Sequence, residues 1–276
     1  MTTAGAVMSE QPDSGFFKHS AQEIAHRVDA DLSRMLGGSS YSPVEKLALA
    51  CRVLADEGHA RTLAGQITLR AEPRDTYWTT NYGAGLAETT VGNVVRVDAE
   101  MRPVEGQGIP NPAVRFHLWI YAARTDLNCI VHTHSPYCSA LSMLGKPLVV
   151  GHMDAMMFHE DVAFLPSWPG LPLANEEGRL ISEALGQKRC VLLAHHGLLT
   201  TGKTLEEAVY LAVLMEQAAQ LQMLAEAVGP IQAVPPHLAR EAHDFLVKKS
   251  IVNATFDYWA RRAARKYPEA LHASAV

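Results

Sequence analysis

Residues 129–138, CIVHTHSPYC, decide how the chain is read. An apolar run ends in two histidines one residue apart. In a β-strand successive side chains alternate faces, so His132 and His134 point one way and Thr133 the other. Two neutral imidazoles so placed can grip one metal ion, at about 2.0–2.1 Å for zinc. Spacing alone leaves ordinary core or surface histidines open too. With 13 histidines in 276 residues, chance supplies roughly 0.6 such pairs.

Working outward, a second histidine pair stands in LLAHHGLLTTGKTLEEA, residues 192–208. His195 and His196 end another apolar strand and are followed at once by Gly197. Two strand ends can meet at one edge of a sheet, where α/β folds place their ligands. Between the pairs, EEGRLISEALG (176–186) reads as a helix, and RCVLLAHH (189–196) as a buried strand. Thr204 with Glu207 opens a long helix over 205–228.

Upstream, 113–126 (AVRFHLWIYAARTD) is a helix leading into the first histidine strand. The pieces QITLR (66–70), TYWTT (76–80) and NVVRVD (93–98) are β-like and separated by turn residues. Ser42, Pro43 and Glu45 form a capping box ahead of a helix, and an earlier helix covers 19–36, ended by Gly37 and Gly38. Helices alternating with strands imply an α/β layered fold. Residues 1–15 read as a disordered tail, and 16–276 as one domain with a C-terminal helical extension after the loop 229–236.

Composition narrows the function. The chain is 48% hydrophobic and 19% charged with a net charge of -5, and no Lys/Arg cluster marks a nucleic-acid or polybasic membrane partner. A small-molecule substrate is expected. No apolar run approaches the roughly 20 residues that span a bilayer, and residues 1–15 lack the pattern of a secretory signal. Cys51, Cys129, Cys138 and Cys190 form no CxxC pair and read as reduced thiols of a cytoplasmic protein.

Taken together, RFHLWIYAARTDLNCIVHTHSPYCSAL (115–141), LLAHHGLLTTGKTLEEAVYLAVLMEQAAQ (192–220) and, more weakly, GQITLR (65–70) resemble the class II aldolase/adducin family. The resemblance runs from about Ser42 to Val228. It implies a three-layer α/β/α sandwich, a homo-oligomer, usually a tetramer with sites at subunit interfaces, and a divalent metal held by His132, His134 and His196.

The chain also departs from that family. Its aldolases and epimerases carry a glutamate, ligand and acid/base, nineteen residues before the first HxH histidine; here that position is Ala113. Alanine neither ligates nor moves a proton, and deprotonating carbon beside a carbonyl needs a placed base. Gly65–Gln66 replaces the family's Gly-Asn pair, and Asn111–Pro112 its serine pair. Proline offers no backbone N–H to a phosphate oxygen, so a phosphorylated sugar is not the expected substrate. Residues 151–158, GHMDAMMF, either line an apolar pocket or pack in the core.

Three neutral histidines without a carboxylate suit open-site metal chemistry, as in the two-histidine, one-carboxylate non-haem iron oxygenases, although zinc also fits such a set. A narrower resemblance, through the missing glutamate and the tail FDYWARRAARKYPEAL (256–271), is to the non-haem iron enzymes of aminocoumarin antibiotic biosynthesis, in the clorobiocin and novobiocin pathways. It implies Fe(II), O2 as co-substrate, and a prenylated 4-hydroxyphenylpyruvate carried through a mandelate to the prenylated 4-hydroxybenzoate. Two alternatives stand beside it. One is a divalent-metal aldolase or lyase on a non-phosphorylated carbonyl substrate, its base drawn from Asp154, Glu160 or a neighbouring subunit. The other is a non-catalytic module like the adducin head.

Further residues take expected roles. His195 is a hydrogen-bonding neighbour of the metal ligands or a surface residue, and His152 and Asp154 read as loop residues before ligands or proton carriers. His117, Arg115 and Tyr121 belong to helix packing, and Tyr258 and Trp259 to packing of the C-terminal helix.

Overall fold

The computed structural model describes residues 19–36, 40–168, 170–171 and 175–273. The expected disordered tail, residues 1–15, lies outside them, as do the glycines expected to end the first helix. The chain divides into two compact units, Met1–Gly37 and Gly38–Val276. In the first, α1 (Ala21–Met35) starts on a reciprocal capping box between Ser20 and Glu23.

The second unit holds α2 (Pro43–Asp56), α3 (Arg115–Ala123), α4 (Pro136–Met143), α5 (Asn175–Leu185), α6 (Leu205–Glu226), α7 (Pro236–Leu246) and α8 (Lys249–Lys266). Its strands are β1 (Gln66–Arg70), β2 (Tyr77–Thr80), β3 (Val94–Val97), β4 (Pro103–Glu105), β5 (Cys129–Thr133), β6 (Val162–Leu165), β7 (Cys190–Leu193) and β8 (Gly197–Gly202). They form one sheet in the order β4-β3-β2-β1-β5-β8-β7-β6. Every neighbouring pair is antiparallel except β6 with β7.

The sheet is apolar on both faces because helices cover both. Along β5 and β7 the side chains divide strictly by alternation. Cys129, Val131, Cys190 and Leu192 join α2, α4, α6 and α8 in one core. Ile130, Val191 and Leu193 join Phe116, Ile120 and Tyr121 of α3 and Ile181 and Leu185 of α5 in the other. This is the expected three-layer α/β/α sandwich.

Local signals set the helix starts. Ser42 and Glu45 cap α2 reciprocally with Pro43 in the first turn. Thr204 accepts from the amide of Glu207 at the start of α6, but the Glu207 carboxylate does not return the bond; it takes the Lys203 amide at 2.7 Å and Arg189 at 3.0 Å. The helix expected over 113–126 is shorter, a 3-10 turn at Pro112–Val114 followed by α3. It ends at Arg124, whose guanidinium turns to Asp126 and the Gly186 carbonyl. Two elements had no sequence assignment: residues 197–202 form a strand and 136–143 a helix.

Of residues 151–158, some pack in the core and others line a cavity. Met157 and Phe158 are buried, and Met153 lies at the surface. A nearby cavity of about 210 Å³ is lined by Val149, Gly151, His152, Ala155, Leu221 and Ile231, among others, and by none of these methionines.

Candidate metal centre

β5 pairs with β8 so that His132 faces Leu199 and Thr133 faces Leu198. β7 and β8 are joined by a three-residue turn, Ala194–His196, closed by the Leu193–Gly197 pair. Residues 64 positions apart in sequence are thereby delivered to one edge of the sheet. His132, His134 and His196 form a group whose ligand atoms all lie within 4.8 Å of one another. The glycine after the second pair is required there: a Cβ on Gly197 would sit 2.4 Å from the Thr133 carbonyl oxygen.

His132 is fully buried, with Nδ1 2.8 Å from the Leu198 carbonyl oxygen. A carbonyl only accepts, so Nδ1 carries the proton and Nε2 keeps a free lone pair. That lone pair faces His134 Nε2 at 3.1 Å, a separation at which both nitrogens can ligate one ion at about 2.0–2.1 Å. The rings of His132 and His134 each lie 4.7 Å from that of His196, centroid to centroid.

Electrostatics favour the ligating form. Burial holds His132 well below the usual histidine range, and His196, His134 and His117 push the same way while the bond to Leu198 opposes them. Burial lowers His134 as well. His196 comes down to about 4, through burial first and then His134. Neutral imidazoles are what a metal needs, and no protons have to leave them near pH 7. Among the described residues the group contains no carboxylate.

The surroundings fix these rings. Phe116 of α3 meets His132 edge-on at 5.2 Å, and Trp168 stacks on His196 at 6.1 Å with planes 10° apart. Just after His134, the buried Glu216 of α6 accepts from Ser135 Oγ at 2.6 Å and from the amides of Tyr137 and Cys138 at 2.8 Å. One carboxylate thus caps the N-terminus of α4 from another helix. On the opposite face of β5, His59 Nδ1 lies 2.7 Å from Thr133 Oγ1. Gln66 pairs with His132 across β1, and its Oε1 is buried without a hydrogen-bond partner, as are Nε2 of His59 and of His117.

The remaining candidates separate. Ala113 sits in the turn entering α3, its amide held by Asn111 Oδ1, and brings no acid to the site. His195 occupies the left-handed region with φ 57°, and among the described residues its ring makes no hydrogen bond. His152 Nδ1 accepts from the Asp154 amide, capping the 3-10 turn Met153–Phe158, and Glu160 pairs with Arg240; none of the three joins the histidine group. His117 packs as expected, bonded to Thr68 Oγ1 at 2.9 Å. Tyr121 is buried against Tyr77, and Arg115 is exposed. Trp259 is buried near Tyr210, while Tyr258 is exposed under Arg262.

Phe116, Trp168, Glu216 and His59 were not legible as site residues. Each comes from an element far away in sequence, and none carries a local motif. Only Gln66 had a signal, its place beside Gly65 in GQITLR.

Residues 45–223 match the Class II Aldolase and Adducin N-terminal domain family, and the chain belongs to that family. Within it, the chain is 35% identical over 182 residues to decarboxylase NovR of Streptomyces niveus, an alignment covering 64% of this chain and 67% of that protein. It is equally similar to the 4-hydroxy-3-prenylphenylpyruvate oxygenase/4-hydroxy-3-prenylbenzoate synthase of Streptomyces roseochromogenus, of whose length it spans 65%. Among solved structures, an L-fuculose 1-phosphate aldolase from Glaciozyma antarctica superposes with a TM-score of 0.77 at 27% identity, over 88% of this chain and 99% of that one.

Proposed function

We propose that the protein is a non-haem Fe(II)-dependent oxygenase. It would decarboxylate an aromatic 2-oxo acid oxidatively, taking a prenylated 4-hydroxyphenylpyruvate through a mandelate to the prenylated 4-hydroxybenzoate. The observation that carries this reading is an all-histidine ligand group on an aldolase-type fold whose acid/base position is Ala113. The similarity to a Streptomyces protein named a 4-hydroxy-3-prenylphenylpyruvate oxygenase supports the substrate class, and that to one named a decarboxylase supports the loss of CO2.

His132, His134 and His196 would hold the ion. When bound there, a ferrous ion supplies open positions for a chelating 2-oxo acid and for O2. The chain's own residues do the rest. The Leu198 carbonyl keeps the proton on His132 Nδ1, so its Nε2 stays a ligand. Phe116 closes the inner side of His132 with an apolar edge and excludes water there. Glu216 anchors the Ser135–Cys138 turn and so the backbone that carries His134. With no carboxylate in the group, abstraction of a proton from carbon lacks the family's usual base.

A divalent-metal lyase acting on a non-phosphorylated carbonyl substrate is the second reading, favoured by the shared fold with an L-fuculose 1-phosphate aldolase. We further propose a homotetramer, in keeping with the family, and a cytoplasmic setting, in keeping with four buried free cysteines. No helix among the described residues is long and apolar enough to cross a membrane.

The test is O2 uptake by anaerobically purified, Fe(II)-loaded protein given the prenylated 4-hydroxyphenylpyruvate, with CO2 and aromatic products followed together. Coupled O2 loss and CO2 release are expected. Carbon–carbon cleavage that proceeds equally well without O2 would move the protein to the lyases.

A further inference from the structure

Trp168 has no place in the sequence motifs or in the core, being 48% exposed. Topology nevertheless puts it at the histidine edge. β6 runs parallel to β7 with Leu165 opposite Leu193, and the Ala194 amide bonds the Leu165 carbonyl at 3.0 Å. The chain therefore leaves β6 where the turn Ala194–His196 begins. Three residues on, the Trp168 indole lies nearly parallel to the His196 ring, at a distance typical of offset stacking. The segment then turns at Gly170, with φ 109°, against Glu177 of α5.

Beside a group of ligating histidines, a half-exposed indole offers a large apolar surface with a polar N–H at its edge. One face of Trp168 meets His196, and among the described residues about half of the residue is exposed. We infer that Trp168 is a specificity-determining residue, its exposed indole surface packing on the aryl group of the substrate while the polar end of that substrate meets the histidine group. This rests on the reading above and deepens it, since it makes Trp168 the group that selects aryl over alkyl 2-oxo acids. Rings of this kind prefer offset-stacked or edge-on contact, a preference an aliphatic chain cannot meet.

The experiment is calorimetric titration, under anaerobic conditions, of Zn(II)-loaded protein with 4-hydroxyphenylpyruvate and with pyruvate. It compares the unaltered chain, Trp168→Ala and Trp168→Phe, with zinc affinity measured in parallel. The unaltered chain should prefer the aryl acid. Trp168→Ala should weaken the aryl acid about tenfold while pyruvate and zinc change less than about twofold, and Trp168→Phe should recover most of the loss. An unchanged preference in Trp168→Ala overturns the inference and leaves the oxo-acid reading standing. Loss of zinc in Trp168→Ala also overturns it, making the indole a prop for His196. If the unaltered zinc protein binds neither acid, the oxo-acid reading itself fails and Trp168 loses this role with it.

Discussion

The two ends of the central strands differ in how their polar groups are satisfied. At the end where β5 starts and β8 finishes lies a cavity of about 450 Å³ lined by Tyr41, Lys46, Arg70, Arg74, Asn128 and Glu206, among others. Lys46 there bonds Glu206 at 2.6 Å, and the Arg70 guanidinium is spent on the carbonyls of Leu127, Arg74 and Tyr121. At the other end, three imidazoles share a few ångströms without an anion, and buried atoms of Gln66, His59 and His117 lack partners. His159 Nε2, just ahead of β6, is such an atom at the first end, but three gather at the second beside the imidazoles, and a buried polar group without a partner costs stability and persists where something else requires it.

This contrast breaks first at the ligands. His134→Ala should lower divalent-metal affinity by more than about 100-fold, beyond the range seen when only a supporting group around a metal is lost, and abolish turnover while the fold persists. A chelating-dye competition titration checks this, and a variant that keeps its metal would remove the centre from the histidine end.

Next comes the buried cap. Glu216→Ala leaves the Ser135 hydroxyl and two amides of α4 without their acceptor, and should cost about 3 kcal/mol in denaturant unfolding. Metal affinity should fall with it, since His134 adjoins the loosened turn. A loss well below 1 kcal/mol would show that water replaces the carboxylate freely.

Acid should act on the same end. Burial brings His59 and His117 down to about 3 from a usual 6.5. Above pH 6.5 both are neutral folded and unfolded, so they add no pH dependence. As the pH falls from about 6.5 toward 3, the unfolded chain takes up protons that the native rings refuse, and stability drops. Each ring contributes about 1.4 kcal/mol per pH unit within that window. Unfolding measured between pH 7 and 5 should show this slope, and His59→Gln should make it shallower by one ring's share.

The smallest effect belongs to the paired end. Lys46→Met removes a partly exposed ion pair and should change stability by less than about 1 kcal/mol, with metal affinity unaltered. A large shift in either would erase the distinction between the two ends.

Much of this was legible along the chain. Ser42, Pro43 and Glu45 announce α2, and Thr204 announces α6, because a helix start is written within four consecutive residues. Alternation alone put His132 and His134 on one side of the strand, and the family resemblance made residue 113, an alanine, the place where its aldolases carry an acid/base. Short elements were harder. β4 and β6 have three and four residues, too few for a period to show, and α4 gains its cap from Glu216 rather than from a residue beside it.

What the sequence by itself determined is therefore local: the caps, the alternation that divides two cores, and two histidine pairs at the ends of apolar strands. Only the tertiary structure decided which distant residues meet. Strand pairing set His196 beside His132, the parallel β6 brought Trp168 onto His196, and α6 carried Glu216 under the turn after His134. The physical reason is that contiguous residues encode backbone preference and facing. Contacts between remote elements depend on how twisted sheets and helices close around a shared core, and no short stretch of sequence records that.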